Sequence, residues 1–400
     1  MAQRYRAVIS PGLEELLARE LRALRVKGVE IEHGGVSFRA TRRGLYQVLQ
    51  QSRLAGRIFW KLTSGVAREP SRLRQKLSRL AWGELFPIGA RLHLRARLRS
   101  PLFQGTGALI SSLRGAIESS LKGAGAPPFV FSDGGAPPPD AFDLLIHLEG
   151  RSYQLLLDVG GGRLDRRGWR DSGSAAPLRS TYAAAALAAL AWRPDRPLLD
   201  PLCGSGTILI EAARLAASLP PRLKRYHPAA LRLPSAERAL WDALQAAPAA
   251  PPPSRNPMHP EQLHQAEKVQ ESAQPLLWGA DRSPRAIESA RRHLALAEVS
   301  DLVTLNMSEA TSFTAPVGRT GEQLEGGLLL TNPPYGKRLP VRGLVEALLA
   351  HAVRVIPSWT IAMLLAQEPP PAPEGFKREE LLSLRHGGVR VRLWSYQREK

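Results

Sequence analysis

Cysteine is nearly missing from this chain. Cys203 is the single one in 400 residues, so no internal disulfide can form and no cysteine zinc site exists; no metal is expected. No uninterrupted apolar run reaches the roughly 18 residues that a membrane-spanning helix needs. The opening stretch MAQRYRAVIS lacks the apolar core of a secretory signal. These absences predict a cytoplasmic protein with no membrane partner. Acidic residues are also scarce: 36 Asp and Glu stand against 55 Lys and Arg, a formal charge of +19. The shortage is uneven. Residues 1–170 hold 28 basic and 14 acidic residues, whereas residues 171–400 hold 27 and 22. A basic excess concentrated in the first part predicts a surface for a polyanion there. The length predicts two or three domains at roughly 100–200 residues each.

In the first part, SPGLEELLARELRAL (10–24) carries helix signals: Ser10 as N-cap, Pro11 at the first position, Glu14 and Glu15 in the first turn. RLHLRARLRS (91–100) alternates, which puts Arg91, His93, Arg95, Arg97 and Arg99 on one face of a strand and Leu92, Leu94, Ala96 and Leu98 on the other. With no acid among them, Arg95, Arg97 and Arg99 are candidate phosphate contacts. Residues 142–160 read as a hairpin turning near Glu149-Gly150. The stretch 160–177, rich in Gly, Ser and Arg, reads as the connection between domains. Arg166, Arg167, Trp169 and Arg170 make it a second candidate RNA contact.

From residue 178 helices and strands alternate. Strands are predicted at 197–200, 275–281, 302–307, 327–331 and 359–366, helices at 178–192, 283–298 and 344–356, and a closing hairpin around 386–388. This rhythm implies a parallel sheet covered on both faces, with an antiparallel edge. Residues 214–275 interrupt it and read as an insertion, with a helix near 235–246 and a proline-rich, disordered tip at 247–257.

Three motifs carry chemistry. Asp200-Pro201-Leu202-Cys203-Gly204-Ser205-Gly206-Thr207 lies between a strand and a helix, where open α/β sheets bind ligands. Leu209 stands where a dinucleotide fingerprint needs its third glycine, and no Gly-Lys-Ser/Thr follows, so neither NAD nor a Walker loop fits. An acid with a glycine turn suits S-adenosylmethionine. Asp281 ends the next strand, where a carboxylate accepts ribose hydroxyls. Asn332-Pro333-Pro334-Tyr335 ends a later strand. The Asn332 side-chain oxygen and the Pro333 carbonyl can accept both N–H groups of an exocyclic amine. The prolines keep the carbonyls fixed, and Tyr335 offers a face for a flipped base. Lys337 and Arg338 follow as candidate RNA contacts.

Asp-Pro-x-Cys-Gly-Ser-Gly-Thr with Glu211-Ala212-Ala213, and Thr-Asn-Pro-Pro-Tyr-Gly, resemble class I methyltransferases that modify guanine N2 in RNA. More narrowly, the chain resembles the bacterial 23S ribosomal RNA guanine-N2 methyltransferases with an N-terminal THUMP domain, the RlmL family. Pro11-Gly12-Leu13-Glu14, Gly34-Gly35-Val36-Ser37-Phe38, Arg166-Arg167-Gly168-Trp169-Arg170 and Ala176-Pro177-Leu178-Arg179 support this. The resemblance implies an α/β chain: a ferredoxin-like segment at 1–60, an α+β THUMP RNA-binding domain at 61–165, and a Rossmann-like methyltransferase domain at 166–400. It implies S-adenosylmethionine as cofactor, held by Asp200, Cys203, Gly204, Ser205, Gly206, Thr207 and Asp281, with Asn332, Pro333, Pro334 and Tyr335 catalytic. Ser308-Glu309 stands where the family often has an Asp near the adenine, and an asparagine common in the helix after the second strand is replaced near His293. The second methyltransferase domain of some relatives is absent, so N2 methylation alone is expected, on ribosomal RNA or alternatively on transfer RNA. Adenine N6 or a protein glutamine would also suit Asn-Pro-Pro-Tyr, but the basic N-terminal part disfavours a protein substrate. A non-catalytic RNA-binding factor would have little use for the intact motif residues.

Overall fold

A computed structural model describes residues 2–170, 178–246, 276–317, 322–334, 342–386 and 388–399. The first part builds β1 (Gln3–Val8), α1 (Glu14–Ala23), β2 (Lys27–Glu32), β3 (Gly35–Ala40), α2 (Arg42–Gln51), β4 (Arg57–Val66), α3 (Pro70–Ser78), α4 (Trp82–Leu85), β5 (Arg91–Arg99), α5 (Thr106–Gly123), β6 (Val130–Asp133), β7 (Phe142–Glu149) and β8 (Ser152–Asp158). These strands form one eight-stranded sheet in the order β2-β3-β1-β4-β8-β7-β5-β6. Residue 60 falls inside β4. Residues 57–60 of that strand pair with β1, and residues 59–66 pair with β8. One strand thus joins the region resembling a ferredoxin-like segment to the region after it.

The second part adds α6 (Ser180–Ala189), β9 (Leu198–Asp200), α7 (Thr207–Ala216), α8 (Arg238–Gln245), β10 (Leu277–Asp281), α9 (Pro284–Leu296), β11 (Val303–Met307), β12 (Leu328–Thr331), α10 (Arg342–Val355), β13 (Thr360–Leu365), β14 (Phe376–His386) and β15 (Val389–Arg398). Its sheet runs β11-β10-β9-β12-β13-β15-β14. Pairing is parallel from β11 to β13 and antiparallel at β13–β15 and β15–β14. The predicted parallel sheet with an antiparallel edge is the sheet found. β9 and β12 are fully buried Leu-rich strands, as expected of strands covered on both faces.

Two local expectations change. Helix α1 starts at Glu14 with Leu13 at its N-cap, not at Ser10. The Ser10 hydroxyl is used elsewhere, 2.6 Å from the Tyr182 hydroxyl. Gly12 (φ +94°) turns the chain there, and a Cβ at that position would meet the Ser383 carbonyl oxygen at 2.3 Å. A long-range contact overrides the capping signal. In β5 the alternation is imperfect: His93 is buried, with Nδ1 3.2 Å from the Ser132 hydroxyl.

Of the expected insertion at 214–275, residues 217–246 follow α7 and are described. They pack on α2 and the segment after it. Trp241 meets Tyr46 edge-to-face at 5.5 Å, Gln50 donates to the Trp241 carbonyl at 2.9 Å, and Arg222 donates to the Leu49 and Ser52 carbonyls. The expected tip at 247–257 lies outside the described residues.

Between the two sheets sits a buried group of charges. Glu20 accepts from the Ser52 hydroxyl (2.6 Å) and the Arg53 and Leu54 amides (2.7 and 3.3 Å). Glu211, on α7, accepts from Arg167 Nε at 3.0 Å and lies 3.6 Å from Arg53 Nη1. Arg167 also donates to the Arg53 and Leu164 carbonyls. Arg53 donates to the Leu219 carbonyl at 2.6 Å. Burial lowers both Arg53 and Arg222 to about 10 and raises Glu20 above the ordinary carboxyl range.

Candidate functional site

The carboxyl ends of β9, β10, β11 and β12 converge, because the four strands are parallel neighbours. Each contributes a polar residue: Asp200, Asp281, Ser308 just beyond β11, and Thr331-Asn332. The glycine loop leaves β9 and is tied across to β10: the Cys203 amide donates to the Ala280 carbonyl (2.8 Å), and the Gly204 amide to Asp281 Oδ2 (3.1 Å). Asp281 Oδ1 accepts from the Ser283 amide (2.9 Å) at the start of α9, and the Asp281 carbonyl accepts from the Ser308 amide (3.3 Å). Asp281 is half-buried and sits where the loop, α9 and β11 meet. Glu309 is exposed and follows Ser308 in the chain.

Gly204 and Gly206 take left-handed backbone, φ +52° and +81°. That conformation favours glycine. The space around them differs. A Cβ on Gly206 would touch Ala290 at 3.4 Å, whereas one on Gly204 would meet nothing within 4 Å among the described residues. Room for a ligand therefore lies over Gly204, on the open side of the loop. Cys203 is buried, and burial pushes its thiol far up, so it is a packed side chain and no nucleophile.

Asp200 faces inward. It is 2% exposed, and its Oδ1 accepts from the Thr331 hydroxyl (2.7 Å) and the Leu202 amide (3.2 Å). Burial raises its pKa to about 7, against the lowering effect of those two donors. Thr331 directly precedes Asn332, so one buried hydrogen bond ties the strand end carrying the glycine loop to the strand end carrying the amide. The Asn332 Oδ1 is itself buried and has no hydrogen-bond partner among the described residues. Pro333 is buried and Pro334 half-buried. Tyr335, Lys337 and Arg338 lie outside the described residues.

The arginines expected to contact RNA divide. Arg97, Arg99 and Arg166 are exposed. Arg99 lies 3.7 Å from Glu149. Arg95, Arg167 and Arg170 are engaged inside the protein, a correction to the linear reading. Arg95 makes a two-pronged pair with Asp143, both contacts 2.6 Å. Arg167 is buried against Glu211. Arg170 donates to the Leu178 carbonyl (2.8 Å) and the Thr207 hydroxyl. Most of these partners come from β7 and α7, which adjacency along the chain does not reveal. Trp169, expected as an RNA contact, is fully buried. A different row emerges. Lys27, Arg39 and Arg4 are all exposed and lie in cross-strand register on β2, β3 and β1. Like charges directly opposite repel, so such a row favours an anion. Thr331 and His293 also belong to the site, although the sequence reading gave neither a role: Thr331 opens the Thr-Asn-Pro-Pro-Tyr-Gly string, and His293 lies in the helix after Asp281.

Among the described residues no helix is long and apolar enough to cross a membrane. A family model described as "RMKL-like, methyltransferase domain" matches residues 167–369, and one described as "RlmL ferredoxin-like domain" matches residues 5–59. Ribosomal RNA large subunit methyltransferase K/L of Photobacterium profundum is 33% identical over 340 residues, covering 84% of this chain and 44% of the relative. The chain thus spans about half the length of the curated relatives it matches. Among solved structures, SMU.472 complexed with SAH has a TM-score of 0.78 at 23% identity, covering 100% of this chain and 99% of that one. TrmN from Thermus thermophilus has a TM-score of 0.64 at 21% identity and covers both chains fully, 100% each. At these identities the two structures establish a shared fold. With a model spanning residues 167–369 matched, over a parallel sheet whose strand ends gather the glycine loop and the Asn-Pro-Pro turn, the chain belongs to the RMKL-like methyltransferase-domain family.

Proposed function

We propose that this chain methylates the exocyclic N2 amine of a guanine in large-subunit ribosomal RNA, in the cytoplasm, using S-adenosylmethionine. The observation that carries the reading is the buried, unpartnered Asn332 Oδ1. A buried acceptor left without a donor is costly, and a substrate N–H would satisfy it. The open space over Gly204 fits a cofactor bound at the loop. S-adenosylmethionine supplies a methyl group on a positively charged sulfur. The backbone of Cys203–Thr207 and the side chains of Asp281, Ser308 and Glu309 would hold it, with the still available lone pairs of Asp281 accepting ribose hydroxyls. Asn332 and the Pro333 carbonyl orient the amine, and Tyr335 stacks the base. The ferredoxin-like segment (1–60) and a THUMP domain (61–165) carry the RNA, and the rest (166–400) carries the chemistry. The name of the Photobacterium relative supports the ribosomal substrate. Mass spectrometry of ribosomal and transfer RNA nucleosides from a deletion strain, with and without complementation, tests it. Loss of N2-methylguanine from 23S RNA alone is expected. Loss from transfer RNA, or of N6-methyladenine, would replace the substrate.

Asp281→Ala is expected to weaken S-adenosylmethionine binding about tenfold to a hundredfold, because hydrogen bonds to a charged acceptor contribute roughly 1.5–3 kcal/mol. Calorimetry on the folded variant checks this; unchanged affinity would leave Asp281 with the backbone amides alone.

RNA affinity of the whole chain is expected to fall steeply with salt, through counterion release. Replacing Arg4, Arg39 and Arg97 together by Gln should flatten the log–log slope by about 2–3, near one per lost phosphate contact. Arg95→Gln should leave the slope alone, since Arg95 is held by Asp143. The opposite pattern would move the interface off this surface.

A further inference from the structure

The glycine loop is braced from below by the segment that connects the two sheets. Arg170 donates to the Thr207 hydroxyl, and its guanidinium carbon lies 4.8 Å from the centre of the Trp169 ring. The buried indole also meets His293, ring centres 6.0 Å apart. His293 Nδ1 is 3.2 Å from the Ser205 carbonyl oxygen. A carbonyl only accepts, so Nδ1 carries the proton in this contact. Ser205 and Thr207 flank Gly206, at φ +81°. Both shoulders of the tight turn are therefore tied to side chains packed on one tryptophan. His293 and Trp169 are essentially fully buried, and Thr207 is 5% exposed.

We propose that Arg170, acting through Thr207, and His293, acting through Ser205, are positioning residues that set the glycine loop in its ligand-binding conformation. The proposal rests on the loop being the cofactor site. The physical reason is the composition of the loop. Gly-Ser-Gly has little side chain to pack, and glycine loses the most conformational freedom on ordering. Held by its shoulders, the loop meets a ligand already ordered, and the cost of ordering does not subtract from affinity. Arg170 thereby leaves the set of RNA contacts and joins the cofactor side.

The test is calorimetry of S-adenosylhomocysteine with the full chain and the variants Arg170→Gln, Thr207→Val, their double, and Thr207→Ser, with RNA affinity of Arg170→Gln measured across a salt series. Wild type should bind. Arg170→Gln and Thr207→Val should each weaken binding about tenfold. The double should be no weaker than Arg170→Gln alone, because both substitutions remove the same Arg170–Thr207 contact. Thr207→Ser restores the hydroxyl and should bind as wild type. RNA affinity and its salt slope should be unchanged in Arg170→Gln. If Arg170→Gln does not fold, Thr207→Val against Thr207→Ser reads the same contact. Wild-type affinity in Thr207→Val, an additive double, or a flatter RNA salt slope in Arg170→Gln would overturn the brace and leave the cofactor reading standing. No binding by wild type would overturn the cofactor reading itself.

Discussion

Asn332→Ala should lower the single-turnover rate of methyl transfer by a factor of about 10²–10³, the size expected when one preorganised polar partner of a transition state is removed. The lone pair of a guanine N2 amine is delocalised into the ring, so the amine is a weak nucleophile. The methyl donor already carries a good leaving group. What remains for the protein is alignment, together with acceptors that favour the pyramidal amine. Asn332 Oδ1 is suited to this because it is buried and otherwise unpartnered. It is also held in place. The residue before it is hydrogen-bonded to the fully buried Asp200, and the two residues after it are prolines. Cofactor affinity, measured in parallel, should change little. Transfer at the wild-type rate would make this turn a structural feature only and move the active site elsewhere.

Glu211→Gln should destabilise the chain by about 3–5 kcal/mol, the cost of breaking a buried ion pair from one side. The substitution keeps size and shape, so no cavity contributes. It leaves the Arg167 and Arg53 side chains, 0% and 9% exposed, without their anion. Several carbonyls already accept from these guanidiniums, but dipoles replace a full charge incompletely in a low-dielectric interior. Urea unfolding followed by far-ultraviolet circular dichroism and tryptophan fluorescence measures the loss. A cost under about 1 kcal/mol would mean that the carbonyls alone satisfy the two cations.

The chemistry of this site is legible in the sequence where it is contiguous. The glycine loop and Asn-Pro-Pro-Tyr are local strings whose residue types have few other uses, and alternating helix and strand places both at strand ends. What the sequence hides is long-range. The Glu211–Arg53 and Glu211–Arg167 pairs join residues 158 and 44 apart. Buried charges follow no local periodicity. Arg95 reads as a free cation because its acid, Asp143, sits on β7, 48 residues further along the chain. The Ser10 cap fails for a related reason: a tyrosine 172 residues away competes for its hydroxyl. Local propensity yields wherever tertiary contacts reach the same group.

The buried charges between the sheets also decide where this protein can be cut and rejoined. A chimera made by exchanging residues 1–165 with a distant relative would bring a foreign residue opposite Glu211, and the backbone carbonyl at position 53, which Arg167 grips, would have to fall in the same place. Segment 217–246 would likewise face an unfamiliar α2. The transplantable module is therefore defined by matching contacts rather than by the linker. It includes the start of α7 and the Trp241 region, although both lie beyond the joint in the chain. Recombination between relatives of this family should tolerate crossovers within either sheet's loops more readily than at residue 165.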